Sequence, residues 1–414
     1  MEIFFQILKW LWILIVVFTM PIFIWLLISQ IAGFLPKKPL KIIDNKIHRF
    51  GVVICARNEE TVIAQLLESL KNQDYDQEKY KCIVVADNCT DNTAAVAKEH
   101  GAIVFERFDK RKQAKGFALN FCMKKINLEY HNEFDAICVF DADNLVSANF
   151  LTEMNKALCT SGDIAIGYRS SKNIHDSWVS EVNSIYWLIL ARTYHLSRQN
   201  MGLSSIASGT GFGFKLSVLG DKGWKTRTIT EDVEFSIQKI TEGAKVVFAK
   251  NAVFFDEQPV TFISSFQQRI RWMTGGFQCL NLYLPTVCKS IKDGNFKILD
   301  LLWYLLLVPV AGLSIPLTFG TVVWVILKPE TYFVSLPIFL GFMGISWLYS
   351  VVISFATLKL EKREIRPMLR GIMLFPIFVY SLMLAALIAM VHPTKVWKPI
   401  PHNNVNTIDE MKAE

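Results

Sequence analysis

The 414-residue chain lacks the cysteine and histidine patterns of small disulfide-bonded proteins and of zinc-binding proteins. Its eight cysteines lie between Cys55 and Cys288 without a C-x-x-C pair, and no histidine has a spacing suited to zinc. The sequence also contains no internal repeat and no low-complexity linker. We therefore expect reduced cysteines in the core of a domain that forms one continuous unit.

Charged residues are missing from four long apolar stretches. They are Trp10–Leu35, Leu301–Leu327, Tyr332–Leu358 and Ile372–Val391. About twenty apolar residues suffice to cross a bilayer, and 52% hydrophobic residues is too apolar for an ordinary soluble enzyme. Three such runs in succession would leave a soluble core no polar face toward water. We predict four membrane helices, of which the first lacks the small-residue cleavage site of a removable signal peptide.

The polar sequence between these stretches defines the predicted domains. We expect a transmembrane helix at 1–35, an α/β domain at 36–300, three transmembrane helices at 301–391 and a polar tail at 392–414. An amphipathic segment at 262–280 is expected to lie at the membrane interface as part of the α/β domain.

Basic residues set the orientation of the predicted spans. They follow the first span and fill the loop between the third and fourth: Lys37, Lys38, Lys41, Lys46, Arg49, Lys359, Lys362, Arg363, Arg366 and Arg370. We therefore expect a multi-pass protein of the plasma membrane with its α/β domain in the cytoplasm. The net charge of +7 then reflects topology and anionic lipid, and it requires no nucleic-acid partner. Counting four spans puts both termini outside the cell. The tail, however, carries Lys395 and Lys398, and basic residues favour the cytoplasmic side, so the sequence does not decide on which side the tail lies.

Short apolar runs alternate with helical patterns at the start of the α/β domain. The runs are Phe50–Cys55, Cys82–Ala86, Ala102–Phe105 and Ala136–Phe140. This alternation predicts a Rossmann-like, mostly parallel sheet with helices on both faces. Ligands bind beyond the carboxyl ends of the strands in such folds, so the polar residues there are candidates for a site.

Two carboxylates follow the fourth apolar run directly. Asp141 and Asp143 are two residues apart, so their side chains point the same way in extended backbone. Such a pair suits Mg²⁺ or Mn²⁺, which completes its shell with phosphate oxygens and water. An isolated D-x-D is more often only an Asx-turn, and the neighbouring strand ends favour the metal site.

Those neighbouring strand ends also carry polar groups. Arg57 and Glu59 follow the first run, Asp87 ends the second, and Lys115 precedes the fourth. Asp87 and Glu59 could accept hydrogen bonds from a base or ribose, and Lys115 could pair with a diphosphate. Each residue alone would usually be a helix cap or a solvated charge.

Two further segments carry chemistry. Glu231 and Asp232 open a helix, where Asp232 is a candidate general base; the alternative is simple capping, because Thr228 and Glu231 have the capping-box spacing. Gln268, Arg271 and Trp272 share one helix face. They could hold a diphosphate and a sugar ring, or they could belong to an interfacial anchor.

These motifs follow one another in a defined order. They are Arg57-Asn58-Glu59-Glu60 with Asp87, Lys115-Gly116-Phe117-Ala118-Leu119-Asn120, Asp141-Ala142-Asp143, Thr230-Glu231-Asp232 and Gln268-Arg269-Ile270-Arg271-Trp272. In this order and flanked by membrane helices, they resemble the membrane-bound, often processive family 2 glycosyltransferases, relatives of cellulose, hyaluronan, chitin and poly-N-acetylglucosamine synthases. The resemblance implies a GT-A catalytic domain.

The resemblance also implies roles for these residues. Asp232 would be the catalytic base; Arg57, Glu59, Asp87, Lys115, Asp141 and Arg271 would bind the donor; Asp141 and Asp143 would hold the metal; and Glu231, Gly209, Thr210, Gln268 and Trp272 would bind the acceptor. The implied donor is UDP-N-acetylglucosamine or UDP-glucose.

The implied reaction is an inverting transfer to a growing β-linked polysaccharide at the membrane. The resemblance also allows accessory export or modification subunits as partners. A non-processive enzyme that adds one sugar to a lipid is the alternative, because the same catalytic parts serve both reactions. A transporter is disfavoured because the apolar stretches contain almost no ionisable residue.

Overall fold

The computed structural model describes residues 2–327, 329–394 and 404–413. Its strands are β1 Phe50–Ala56, β2 Tyr80–Asp87, β3 Ile103–Arg107, β4 Ala136–Asp141, β5 Leu145–Val146, β6 Ile164–Ser171, β7 Phe212–Lys215 and β8 Val246–Asp256. Its α-helices are α1 Glu2–Phe34, α2 Ile63–Lys71, α3 Thr93–Glu99, α4 Lys115–Glu129, α5 Phe150–Leu158, α6 Trp178–Leu190, α7 Ser197–Met201, α8 Glu231–Thr241, α9 Phe262–Lys292, α10 Leu299–Leu327, α11 Pro329–Leu360, α12 Leu369–Val391 and α13 Ile408–Ala413.

The strands form one mixed sheet in the order β3-β2-β1-β4-β7-β6-β8-β5. The pairs β3–β2, β2–β1, β1–β4 and β6–β8 are parallel, whereas β4–β7, β7–β6 and β8–β5 are antiparallel. The sheet is therefore mostly parallel, which confirms the predicted fold class. The predicted runs match β1 to β4 within two residues at each end, because largely buried parallel strands are apolar almost throughout.

The register of the parallel strands brings three strand ends to one edge of the sheet. Cys55 lies opposite both Val85 and Asp141, and Ala56 lies opposite Ala86. The segments that follow β1, β2 and β4 therefore start side by side. This is the edge at which open α/β sheets bind their ligands.

Helices cover both faces of the sheet. On one face, Leu66 of α2 and Met154 of α5 belong to the same buried cluster as Val52 of β1. On the other face, Leu119 of α4 and Phe235 of α8 pack in a second buried cluster. All eight cysteines are free, as predicted, and they are buried or partly buried.

Helix α6 is followed by a π-helical turn at Ala191–Leu196. Two helical predictions need correction. Helix α9 continues twelve residues beyond the predicted 262–280 segment. The capping box is wrong: Thr230 precedes α8, and the Glu234 carboxylate accepts hydrogen bonds from the backbone N–H groups of Arg227 and Thr228 at 2.6 Å each.

Three helical segments in the described ranges are long and apolar enough to cross a membrane. They are Phe296–Gly320, Leu340–Leu360 and Arg366–Val391. The N-terminal helix α1 is continuous over 33 residues, and Thr19–Phe34 is an apolar segment within it. The N-terminal span therefore stays a prediction.

The basic loop between α11 and α12 contacts the α/β domain directly. Glu361 accepts hydrogen bonds from Tyr168 at 3.0 Å, Arg192 at 2.8 Å and Lys250 at 2.9 Å. Since Glu361 is almost fully buried, its charge is compensated by these partners rather than by water. This loop is therefore packed directly against the α/β domain.

Candidate active site

A cavity of about 530 Å³ lies beyond the carboxyl ends of β1, β2 and β4. Its walls include most of the predicted site residues: Arg57, Glu59, Asp87, Lys115, Asp141, Asp143, Gly209, Glu231, Asp232, Gln268, Arg271 and Trp272. The four predicted aspartates, from three separate parts of the chain, thus converge on one space. This convergence is the geometric condition that the predicted chemistry requires.

Asp87 lies at the end of the cavity formed by β1 and β2. Arg107 of β3 donates a hydrogen bond to its carboxylate, and Asn88 donates a second one at 2.9 Å. Burial raises the pKa of Asp87, and the hydrogen bond from Arg107 opposes that rise. Arg57 is held nearby by Gln113 at 3.1 Å. This end therefore presents oriented acceptors and donors that suit a nucleobase or ribose.

Asp141 is bound by residues that were predicted to contact substrates. Lys115 donates to the Asp141 carboxylate at 2.5 Å and to the carbonyl of Gly209 at 2.8 Å. Lys115 is therefore held by Asp141 and Gly209, and its contact with a diphosphate stays a prediction. Although burial lowers the pKa of Lys115, the charges of Asp141 and Glu231 raise it overall, so Lys115 stays protonated.

Thr210 does not line the cavity as an acceptor-binding residue would. Its hydroxyl accepts a hydrogen bond from the backbone N–H of Asp141 at 2.9 Å and donates one to the side chain of Asn144. Thr210 is fully buried behind the wall because these two bonds hold it there. Its contacts position the Asp141–Asn144 turn.

Asp143 lines the same wall at 3% exposure. The Asn144 side chain donates to its carboxylate at 3.3 Å and to the Asp256 carboxylate at 2.9 Å. The Lys172 ammonium donates to the Asp143 carbonyl at 2.9 Å. The turn that carries Asp143 is therefore fixed on both sides before a substrate binds.

The described residues contain no cluster of three or more His, Cys, Asp or Glu side chains able to hold a metal. Asp141 and Asp143 nevertheless fit Mg²⁺ or Mn²⁺ that is bound together with a diphosphate, because Mg²⁺ often takes only one or two protein carboxylates. Because Lys115 pairs with Asp141, a metal bound to Asp141 would compete with that ion pair.

Asp232 lies at the first turn of α8, where the backbone N–H of Gly209 donates to its carboxylate. Burial raises the pKa of Asp232, while hydrogen bonds from backbone N–H groups and the charge of Lys115 lower it. Gly209 can approach this closely because its φ of 90° is accessible to glycine. The contact fixes the orientation of the carboxylate toward the cavity.

Glu231 shares this buried position with Asp232. Burial and the adjacent charge of Asp232 raise the pKa of Glu231 from about 4.5 to about 8. The folded state therefore binds a proton more tightly than the unfolded state. It follows that the free energy of unfolding falls as the pH rises from about 4.5 to about 8.

Glu231→Gln is expected to stabilise the ligand-free protein more at about pH 9 than at about pH 5, because it removes a buried carboxylate that must ionise at high pH. The measurement is the Tm of both proteins in detergent at the two pH values. The exposed Glu99→Gln serves as the control, with a constant Tm difference expected. A stabilisation by Glu231→Gln that is larger at the lower pH would contradict the assignment.

The face of α9 that carries Gln268, Arg271 and Trp272 closes the cavity opposite the strand ends. The positive charge of Arg271 faces Glu231, Asp141 and Asp232, and burial lowers its pKa. The Trp272 ring stacks on Tyr186 with 6.0 Å between ring centroids. Gly275 on the same helix packs against Thr230, leaving no room for a Cβ atom. This close approach sets α9 directly against the start of α8.

Sequence reasoning missed Arg169 and Asp256. The Arg169 guanidinium lies 3.9 Å from the centroid of the Trp187 ring, pairs with Asp256 at 3.3 Å and donates to the Ser208 carbonyl. It thereby joins the Asp143 side of the cavity to the loop that holds Asp232. Asp256 ends β8, so the strand-end rule would have selected it if β8 had been predicted.

The far end of the cavity is apolar and is built by the C-terminal helices. α10 contributes Leu305, Leu307, Val308 and Ala311, and α12 contributes Leu382. Tyr304 adds one hydroxyl to this wall. The cavity therefore runs from charged strand ends to the surface of helices that are apolar enough to sit in lipid.

Comparison with known proteins agrees with this geometry. Residues 48–275 match the family described as "Glycosyltransferase like family 2". A probable glycosyltransferase of Bacillus subtilis is 25% identical over 353 residues, which cover 80% of this chain and 79% of the relative.

Two further relatives have names that specify a reaction. A β-monoglucosyldiacylglycerol synthase of Nostoc is 25% identical over 276 residues, covering 66% of this chain and 58% of the relative. A poly-β-1,6-N-acetyl-D-glucosamine synthase of Staphylococcus aureus is 26% identical over 288 residues, covering 66% of each protein. The chain thus spans little more than half the length of the Nostoc relative.

A solved structure is similar over nearly the whole chain. A mannosyltransferase from Pyrobaculum calidifontis, in complex with GDP-mannose and Mn²⁺, covers 93% of this chain and 98% of its own, with a TM-score of 0.57 and 17% identity. This likeness concerns the fold. Because the family match covers more than half of the sequence and the sheet is of the GT-A type, the chain belongs to the family 2 glycosyltransferases.

Proposed function

We propose that this enzyme transfers a sugar from a nucleoside diphosphate sugar to a lipid acceptor by a single inverting displacement. The observation that carries the proposal is a continuous cavity with five aspartates at one end and apolar helix surface at the other. The charged end suits a nucleotide diphosphate with its metal. The apolar end suits an acceptor that enters from the membrane.

At the charged end, Asp87 and Arg57 would bind the nucleoside, and Glu59 lies in the same wall. Arg271 would hold the diphosphate, because a guanidinium can bind phosphate oxygens bidentately. Asp143, with Asp141 beside it, would hold Mg²⁺ or Mn²⁺, which neutralises charge on the departing diphosphate when bound. UDP-N-acetylglucosamine and UDP-glucose remain the expected donors.

The reaction needs one proton acceptor on the face of the sugar opposite the diphosphate. Asp232 would take the proton from the acceptor hydroxyl as that oxygen forms its bond to the anomeric carbon. The bond from the same carbon to the diphosphate oxygen breaks, and the electron pair leaves with the nucleoside diphosphate. An α-linked donor gives a β-linked product.

The apolar wall favours a lipid over a polysaccharide as acceptor. Leu305, Val308 and Ala311 offer no hydrogen bonds to sugar hydroxyls. The faces of the aromatic rings are also partly covered, because Trp272 stacks on Tyr186 and Arg169 covers Trp187. A growing β-linked polysaccharide is the second candidate, and the exposed part of Trp272 favours it.

The membrane setting is part of the proposal. The 36–300 domain would face the cytoplasm, with α10 and α11 in the plasma membrane and the basic loop of residues 359–370 on the domain side. Support comes from the contacts of Glu361 with the domain and from the apolar surfaces of these helices.

We expect the purified enzyme to form an organic-extractable product that carries one added sugar. The experiment incubates the detergent-solubilised protein with radiolabelled UDP-sugars, Mn²⁺ and a membrane lipid extract, and then partitions and sizes the products. Asp232→Asn is the control for background transfer. A water-soluble product of high mass would contradict the lipid acceptor and favour the polysaccharide, whereas no sugar transfer from any nucleotide sugar would contradict the enzyme assignment.

A further inference from the structure

The C-terminal end of α12 lies against the catalytic domain. The backbone N–H of Thr394, three residues after α12, donates to the Thr274 hydroxyl at 3.3 Å. Thr274 is fully buried in α9 and precedes Gly275, which packs against Thr230 beside the predicted catalytic base. The tail therefore leaves α12 next to the active site.

The start of α12 is attached to the same domain. The Arg370 guanidinium pairs with Glu181 of α6 at 2.7 Å, and Gly371 packs against the Glu181 side chain. Between the two ends, Phe378 lies 4.3 Å from the Arg269 guanidinium and Leu382 lines the cavity. α12 thus contacts the domain at its start, its middle and its end.

This attachment conflicts with a transmembrane course for α12. The helix has 23 residues and is about 35 Å long, enough to cross a hydrocarbon layer of roughly 30 Å. A helix that crossed would carry its far end away from a domain on the near side. α9 is itself held to the domain, since Gln278 accepts a hydrogen bond from the Ile229 N–H and Tyr283 donates one to Glu234.

The described part of the tail returns to the metal side of the cavity. The Lys172 ammonium donates to the carbonyl oxygens of both Asp143 and Asn404, at 2.9 Å each. The backbone N–H of Asn404 donates to Glu257 at 3.2 Å. Lys172 is only 2% exposed, so its charge is held by these contacts rather than by water.

We propose that the C-terminal tail lies on the same side of the membrane as the catalytic domain, because α12 covers the cavity without crossing the bilayer. In this arrangement, Asn404 helps Lys172 to hold the Asp143 turn. Only α10 and α11 then cross after the domain, as a hairpin. This arrangement differs from the predicted three C-terminal spans, which place the tail outside.

The topology is tested with protease-cleavable tags in sealed membrane vesicles of both orientations. One tag follows the C-terminus, a second is inserted at Asn132 in an exposed turn of the domain, and a third lies between α10 and α11. We expect the first two tags to be cut in the same vesicles and the third in the opposite ones. Cleavage of the C-terminal tag together with the third tag would overturn the proposal, and this readout does not depend on enzymatic activity.

The contact with Lys172 is tested by two truncations. Removing residues 404–414 deletes Asn404, one of the two carbonyl partners of Lys172, whereas removing residues 408–414 deletes α13 and keeps Asn404. We expect the first truncation to raise the Mn²⁺ concentration for half-maximal activity several-fold and the second to leave it unchanged. The same Mn²⁺ requirement in both truncations would exclude the positioning role of the tail.

Discussion

Asp232→Asn is expected to lower kcat by about a hundred- to ten-thousandfold, the range that a positioned general base contributes. Asparagine has nearly the same shape as aspartate, and its carbonyl oxygen can still accept the hydrogen bond from the Gly209 N–H. It cannot take the proton of the acceptor hydroxyl. Binding of the nucleotide should therefore persist while transfer is lost.

The measurement combines steady-state kinetics with calorimetric titration of the nucleotide into purified protein. Asp221→Asn, an exposed change on the surface, controls for expression and detergent extraction. Normal turnover by Asp232→Asn would exclude Asp232 as the base. Loss of nucleotide binding in the same variant would instead indicate that Asp232 contacts the donor.

Asp143→Ala is expected to remove the metal-dependent part of nucleotide-sugar binding and to lower activity by about a hundredfold or more, corresponding to roughly 3 kcal/mol. The reason is the chemistry of this wall of the cavity, which Asp143 lines and where Asp141 is paired with Lys115. In the wild type, chelation of divalent ions should have the same effect as the substitution.

Asp141→Ala is the matched comparison for the metal prediction. Because Asp141 pairs with Lys115, we expect this variant to retain more Mn²⁺-dependent binding than Asp143→Ala. Calorimetric titration of the nucleotide sugar with and without Mn²⁺ measures this difference independently of turnover. Equal Mn²⁺ dependence in wild type and Asp143→Ala would contradict the assignment of Asp143 as metal ligand.

The first half of the sheet could be predicted because each of its strands is recognisable from its own residues. β1, β2 and β4 are buried and nearly uniform in hydrophobicity, and each ends in a polar segment. Parallel strands expose their carboxyl ends on one edge, so the positions of Asp87, Asp141 and Asp143 in the sequence already indicate a shared site. The structure brings all three to one cavity.

The second half of the sheet could not be predicted in this way. β7 has only four residues, pairs antiparallel with β4 and β6, and depends on contacts between segments far apart in the chain. Pairing of this kind is set by the packing of neighbouring strands more than by local preference. Arg169 and Asp256 were missed because they lie on β6 and β8 in this region.

The sequence by itself determined the family, the mostly parallel fold and the set of acidic residues, because these depend on periodicity and on motif order along the chain. Only the tertiary structure decided how the charges pair. Lys115 binds Asp141, Thr210 is buried behind the site, and Asn404 reaches Lys172. Such pairings join residues that are tens to hundreds of positions apart, so they depend on how the elements pack, which local sequence patterns do not encode.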